Sequence, residues 1–279
     1  MILRRQPSRR ETATRPPRID LIVAGCRMEL GIGDHLLDPP FGLYRSPANA
    51  ALQLDFVLDV REALDVLPDG ADAAAPPGVR RRNGRITARG AGYRVELNPT
   101  AARGRATIAP GTRFHRVLLQ LVLTEWLAPR GGLLVHGCGL AVGGRSWLFI
   151  GPSGAGKSTV AELAGLPVLS DETCVVRLEP GDGVELAGTP IGISTAAGPL
   201  PLAGIFWLEQ APADELVPLP PAQALARLMT QVVAAGRQDT ELAPLLETAV
   251  AALDRIPMRT LRFTRSRRFV DVLGLYAEA

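Results

Sequence analysis

Nine consecutive residues carry the types and the spacing to hold a polyphosphate. Gly151, Pro152, Ser153, Gly154, Ala155, Gly156, Lys157, Ser158 and Thr159 fit the pattern G-x-x-x-x-G-K-[ST] at each fixed position. Glycines let the main chain wrap close to a phosphate chain, and successive N–H groups then point at its oxygens. A helix beginning at the end of the loop adds its partial positive charge. In that arrangement Lys157 reaches the β- and γ-phosphates and the Ser158 hydroxyl sits on Mg²⁺. Lys157 is also the only lysine in the chain; the other basic residues are all arginine. A lysine is kept where a compact ammonium is wanted and a planar guanidinium would fit poorly.

A second group follows closely. Leu169-Ser170-Asp171-Glu172 ends an apolar run in two carboxylates. A buried strand that delivers acidic side chains at its C-terminal end suits the metal that accompanies a bound nucleotide. The gap from Lys157 to Asp171 accommodates one short helix and a turn, so the two strands are expected to be neighbours. His136 follows three apolar residues at a strand end. His35, beside Asp34, reads as a loop histidine without a role.

The flanking pattern supplies the elements that would position these groups. Trp147-Leu148-Phe149-Ile150 reads as a buried strand entering the loop, and Val160-Ala161-Glu162-Leu163-Ala164 as the first turns of a helix leaving it. Residues 112–127 predict an amphipathic helix, with Phe114, Val117, Leu118, Leu121 and Trp126 on one face and Arg116 outside. Residues 133–142 predict two short strands. Further on, 173–178 and 183–186 predict a hairpin, 188–192 a loop near the nucleotide, and 202–209 a buried strand. Residues 222–233 and 241–254 predict helices, 258–263 a final strand, and 269–276 a closing helix with Val270, Leu273 and Leu275 inward.

Upstream the pattern is short and β-like. Candidate strands are 19–24, 28–32, 51–60, 85–88, 93–97 and 106–109. The stretch 69–84, rich in Ala, Pro, Gly and Arg, is expected as a surface loop. Residues 1–17, with Arg4, Arg5, Arg9, Arg10 and Arg15, read as a disordered basic tail. The expected organisation is therefore that tail, a β-rich region over 18–110, and an α/β phosphate-binding-loop domain with a mixed central sheet over 111–279.

Composition narrows the function classes. A net charge of +3 gives no global nucleic-acid footprint, and no segment approaches the length of a membrane span. Cys26, Cys138 and Cys174 are odd in number and lack metal-ligand spacing, which reads as reduced thiols in a cytoplasmic protein. A Leu-Ser-Gly-Gly signature is missing, which argues against an ABC-type ATPase. An Asn-Lys-x-Asp guanine motif is impossible in a chain whose one lysine is Lys157.

The order Val135-His136-Gly137, then the loop, then Leu169-Ser170-Asp171-Glu172 resembles the C-terminal domain of HPr serine kinase/phosphorylase. The trailing region is similar to divergent HPr-kinase-like proteins of peptide-modification clusters, including lasso peptide clusters. The resemblance spans roughly 132 to the C-terminus. It implies that Asp171 accepts the proton of a substrate serine, that Glu172 lies near Mg²⁺, and that His136 sits close to the catalytic acid. It implies that Lys157 and Ser158 bind phosphate and metal. The chain departs from the family pattern in having Glu at 172 and no arginine in the stretch 184–188.

Phosphoryl transfer needs charge neutralisation, an in-line acceptor and a positioned base, and these residues supply them. The leading expectation is an ATP- and Mg²⁺-dependent kinase acting on a serine of a protein or peptide. A small-molecule kinase and a nucleotide-dependent regulator without transfer remain open beside it. Relatives of that family form oligomers, so self-association is a further open expectation.

Overall fold

A computed structural model describes residues 18–32, 39–46, 55–62, 78–90, 92–109 and 115–274. The expected tail (1–17), His35, Phe114 and the chain end from 275 lie outside them. Among the described residues the fold is mixed α/β, with two mixed sheets and five α-helices.

The first sheet contains seven strands: β1 (Arg18–Val23), β2 (Cys26–Gly31), β3 (Phe56–Glu62), β4 (Gly78–Arg82), β5 (Arg85–Gly90), β6 (Tyr93–Asn98) and β7 (Arg103–Ile108). They lie in the order β1-β2-β3-β7-β6-β5-β4. β3 runs parallel to both β2 and β7, and the other pairings are antiparallel. Alternation sorts the side chains: Leu21, Met28, Leu58, Val95 and Ala106 face inward, and arginines alternate with them on the solvent face. The expected surface loop over 69–84 needs correction within its described part. Gly78–Arg82 is a strand, joined to β5 by the Asn83-Gly84 turn. Its run of three arginines hides the alternation, because Arg81 points inward as a charged residue.

α1 (His115–Leu127) lies between the two sheets, touching β6 on one side and the second sheet on the other. Leu118, Leu119, Leu121, Val122, Leu123 and Leu127 are all buried. The helix is therefore apolar over most of its circumference rather than amphipathic, as expected of a helix covered by a sheet on each side.

The second sheet contains β8 (Gly132–Val142), β9 (Arg145–Ile150), β10 (Val168–Ser170), β11 (Thr173–Leu178), β12 (Val184–Gly188), β13 (Leu200–Gln210), β14 (Glu215–Pro218) and β15 (Met258–Phe263). The expected pair of short strands over 133–142 is one eleven-residue strand, β8. Its glycines do not break it; they permit close contact. A Cβ at Gly137 would sit 2.8 Å from Ile150 Cγ2, and one at Gly139 would sit 2.9 Å from Cys174 Sγ.

β8 pairs with β11 through its first half and with β9 through its second. β11 pairs with β12, β12 with the start of β13, and β13 with β9. The hydrogen-bonded circuit β8-β11-β12-β13-β9 thus closes on itself. The remaining helices cover this sheet. α2 (Lys157–Ala164) and α5 (Phe269–Val272) pack over Phe149, Phe206 and Phe263, whereas α3 (Pro221–Gln231) and α4 (Ala243–Arg255) pack over Leu133, Ile205 and Met258.

A buried ionic contact ties β4, α1 and the segment after α3 together. Glu125 Oε1 lies 2.7 Å from an Arg81 guanidinium nitrogen and 2.8 Å from one of Arg237, with the three side chains only 11–15% exposed. Replacing Glu125 with Ala leaves two buried guanidiniums without a counter-charge, which costs about 3–5 kcal/mol. The midpoint of urea unfolding should fall accordingly; an unfolding free energy within about 0.5 kcal/mol of wild type would show that the contact contributes only as an exposed ion pair does.

Candidate functional site

Strand β9 is buried on both faces, with Trp147 and Phe149 in one apolar cluster and Leu148 and Ile150 in another. It runs parallel to β13, which runs parallel to β15, so the C-terminal ends of all three open on the same side of the sheet. In open α/β sheets that is where ligands bind.

The chain leaves β9 at Gly151 and turns, the Ala155 amide donating to the Pro152 carbonyl at 3.1 Å. It enters α2 through Gly156, whose φ of 110° only glycine adopts readily; a Cβ there would also lie 2.6 Å from Phe263 Cζ. The first helical hydrogen bond runs from the Val160 amide to the Gly156 carbonyl at 2.9 Å. The amides of the first turn of α2 are left without intrahelical acceptors. Gln210, at the end of β13, steadies the loop by donating from Nε2 to the Gly154 carbonyl at 2.9 Å.

The acidic pair is held by a different device. Ser170 is fully buried; its hydroxyl donates to the Ile191 carbonyl at 2.7 Å and accepts the amides of Glu172 and Thr173. This fixes the turn between β10 and β11 in which Asp171 and Glu172 stand. The loop 189–194 folds over them. Asp171 Oδ1 accepts the Ile193 amide at 2.6 Å, and the Asp171 amide donates to the Ile193 carbonyl at 3.1 Å. Gly192 makes the approach feasible, since a Cβ on it would lie 2.3 Å from Asp171 Oδ1. Glu172 forms an ion pair with Arg116 of α1.

β10 pairs with β8, not with β9, so the acidic turn and the loop strand are not the neighbours expected from their spacing. One strand, β8, lies between them. The groups still converge. An open cleft of about 510 Å³ is lined by His136, Ser153, Gly154, Gly156, Lys157, Ser158, Thr159, Asp171 and Glu172, together with Gln210 and Arg265. Gly151 and Ala155 do not line it: Gly151 is buried, and a Cβ on it would lie 2.8 Å from the Ala155 methyl carbon. Both shape the turn instead.

Three residues of this region escape a reading of the sequence. Arg116 reads there as a solvent-side residue of its helix. Gln210 ends β13 and Arg265 follows β15, and the rule for strand C-termini is the signal that could find them.

Charge in the cleft is shaped by burial. The Lys157 ammonium donates to the carbonyls of Gly151 at 2.7 Å and Pro152 at 3.1 Å, and burial lowers its pKa from the ordinary lysine value. Burial raises the Glu172 pKa, with Arg116 acting against that rise and Asp171 adding to it. The His136 pKa is lowered, first by burial and then by the positive charge of Lys157; a hydrogen bond with the Glu172 backbone acts in the opposite sense.

The donor set suits a metal–polyphosphate pair. Gly154 has open space where a Cβ would stand, which leaves a cradle at the loop, and Ser158, Asp171 and Glu172 are hard oxygen donors. Among the described residues no group of three or more His, Cys, Asp or Glu forms a closed metal cage. The Glu172 carboxylate and the Ser158 hydroxyl match Mg²⁺, which keeps waters and takes the rest of its coordination from phosphates. No protein-family model matches the chain, and no curated protein matches it.

Because the folded state disfavours the imidazolium, His136 should titrate below the ordinary value of 6.5. Acidification through 6.5 then protonates the unfolded chain before the folded one, so this group lowers stability as pH falls. An NMR titration of the imidazole resonance, assigned with His136→Gln, should give a midpoint below 6.5. Lys157→Ala should raise it by removing a neighbouring positive charge. A midpoint at or above 6.5, unmoved by Lys157→Ala, would contradict the burial and charge described here.

Proposed function

We propose that this chain is an ATP- and Mg²⁺-dependent phosphotransferase with an HPr-kinase-like P-loop domain, acting on a hydroxyl, foremost a serine of a protein or peptide. The observation that carries the reading is convergence: the glycine-rich loop with Lys157 and Ser158, the Asp171–Glu172 turn and His136 share one cleft although they come from separate strands. A nucleotide sensor needs the loop; it has no need of a carboxylate fixed by a backbone amide across the cleft from it.

In this reading the residues divide the work. The backbone amides of Ser153 to Thr159 and the positive end of α2 take the phosphate oxygens. The Lys157 ammonium exchanges the carbonyls of Gly151 and Pro152 for the β- and γ-phosphates. Ser158 and Glu172 hold Mg²⁺, which when bound neutralises the charge that spreads over the transferring group. Asp171 is the general base. Its Oδ1 is tied to the Ile193 amide, which orients the other carboxylate oxygen to receive the proton of the acceptor hydroxyl. His136, whose pKa is lowered by burial and by the positive charge of Lys157, lines the same cleft as that acid. Arg265 brings a further cation to the mouth of the cleft. The three cysteines are buried free thiols, in keeping with a reducing cytoplasmic setting.

The test is transfer of label from γ-labelled ATP with Mg²⁺ to candidate peptides, with HPr and small hydroxyl compounds as comparators. Asp171→Asn should keep nucleotide affinity within about threefold while transfer drops by about 10²–10⁴-fold. Lys157→Ala should weaken nucleotide binding and transfer together. Transfer to a small hydroxyl compound alone would move the acceptor to small molecules. Nucleotide binding with no transfer to any acceptor would overturn the proposal in favour of a regulator.

A further inference from the structure

The outer face of the first sheet carries a charge pattern that its own fold does not need. Alternation places ten arginines on the solvent side of β1–β7 against four carboxylates, Asp20, Glu29, Asp59 and Glu96. That local excess is larger than the +3 of the whole chain. The arrangement also opposes like charges. Arg82 stands directly across from Arg85, and Arg89 across from Arg94. Such cross-strand pairs destabilise a sheet. Arg94 has Glu96 beside it and Arg105 stands across from both Glu96 and Asp59, whereas among the described residues Arg82, Arg85 and Arg103 have no carboxylate opposite them or in an ion pair.

The same face is concave. A depression of about 550 Å³ is lined by Arg18, Arg85, Arg103 and Arg105 around Val57, with Asp59 and Glu96 also in its wall, and it shares no residue with the cleft. We propose that it is a docking site for an acidic polypeptide segment. The guanidiniums of Arg85 and Arg103 take carboxylates in forked hydrogen bonds, and Val57 offers an apolar floor to an aliphatic side chain.

The face is poorly suited to the other common polyanions. Single-stranded nucleic acid binds on aromatic stacking platforms, and no aromatic side chain of β1–β7 points outward: Tyr93 and Phe56 face the core. Glu96 and Asp59 interrupt the positive track that a continuous phosphate backbone would follow, yet they can accept the amides of a peptide. An anionic bilayer is held by apolar side chains inserted alongside the charges, and the outward Ile22 and Val57 are half-buried. Because the depression and the cleft are separate, this inference does not rest on the phosphotransferase reading.

The test is fluorescence anisotropy on the full chain. The probes are a labelled peptide of alternating glutamate and leucine, its lysine–leucine counterpart, an oligothymidine, and phosphatidylserine vesicles. The glutamate peptide should bind, and added salt should weaken it. Arg85→Glu/Arg103→Glu should reduce that affinity about tenfold or more, the equivalent of losing at least one charge-assisted pair. The first of these reversals places a carboxylate opposite Arg82, so the melting temperature should hold or rise, and nucleotide binding should stay unchanged. The neutral pair Arg85→Gln/Arg103→Gln should lower affinity in the same direction by less. Failure of the glutamate peptide to bind, indifference of its affinity to both double variants, or tighter binding of oligothymidine or vesicles would overturn the proposal.

Discussion

Strand β8 changes partners between His136 and Gly137, and the cleft exists because it does. His136 lies opposite Thr173 of β11, and Gly137 lies opposite Ile150 of β9. The Gly137 amide donates to the Glu172 carbonyl at 3.0 Å, so one residue is bonded toward the acidic turn on one edge and stands beside the loop strand on the other. No side chain fits there: an added Cβ would meet Ile150, Leu148 and the Phe149 carbonyl within 3.0 Å. The two halves of the candidate chemistry are thereby held one strand apart, with the His136 imidazole between them.

Everything around that junction keeps it fixed. The five-strand circuit closes on both sides of β8, and a closed circuit leaves its long strands little freedom to slide. α1 fills the space between β8 and the first sheet and sends Arg116 back to Glu172. Tyr44, from the first sheet's side, is buried against the Leu169 carbonyl and Ser194, next to the loop that ties down Asp171. The segment ending at Tyr44, which packs on β1, therefore supports the acidic turn beside the support that α1 gives through Arg116. The outer face of the first sheet is left to solvent, where the arginines collect.

Much of this is legible in the residues themselves. The strand, turn and helix over 145–164 stand out because glycines interrupt an apolar run just before a helical pattern, and β15 coincides with the final strand expected over 258–263. The hairpin of β11 and β12 is marked by its Glu179-Pro180-Gly181-Asp182 turn. Failures come where a local signal meets a tertiary override. Glycines at 137 and 139 look like strand breaks, yet they serve close packing inside one long strand. Arg80, Arg81 and Arg82 look like loop, because the inward member of the strand is a buried arginine paired with Glu125 rather than an apolar residue. The interposition of β8 between the loop and the acidic turn cannot be read from the short gap between Lys157 and Asp171, since sequence spacing does not specify sheet order. Arg116 is brought to Glu172 by the fold alone and carries no local pattern.

The most direct measurement of whether the loop and the acidic turn form one nucleotide site is amide hydrogen exchange with Mg²⁺-ATP. The expected result is slowed exchange in two segments, 151–159 and 171–194, rising together with ATP concentration and diminished in both when Mg²⁺ is removed. Protection confined to 151–159 and indifferent to Mg²⁺ would mean that the carboxylates take no part in binding. Protection in neither segment would mean that the cleft is not a nucleotide site.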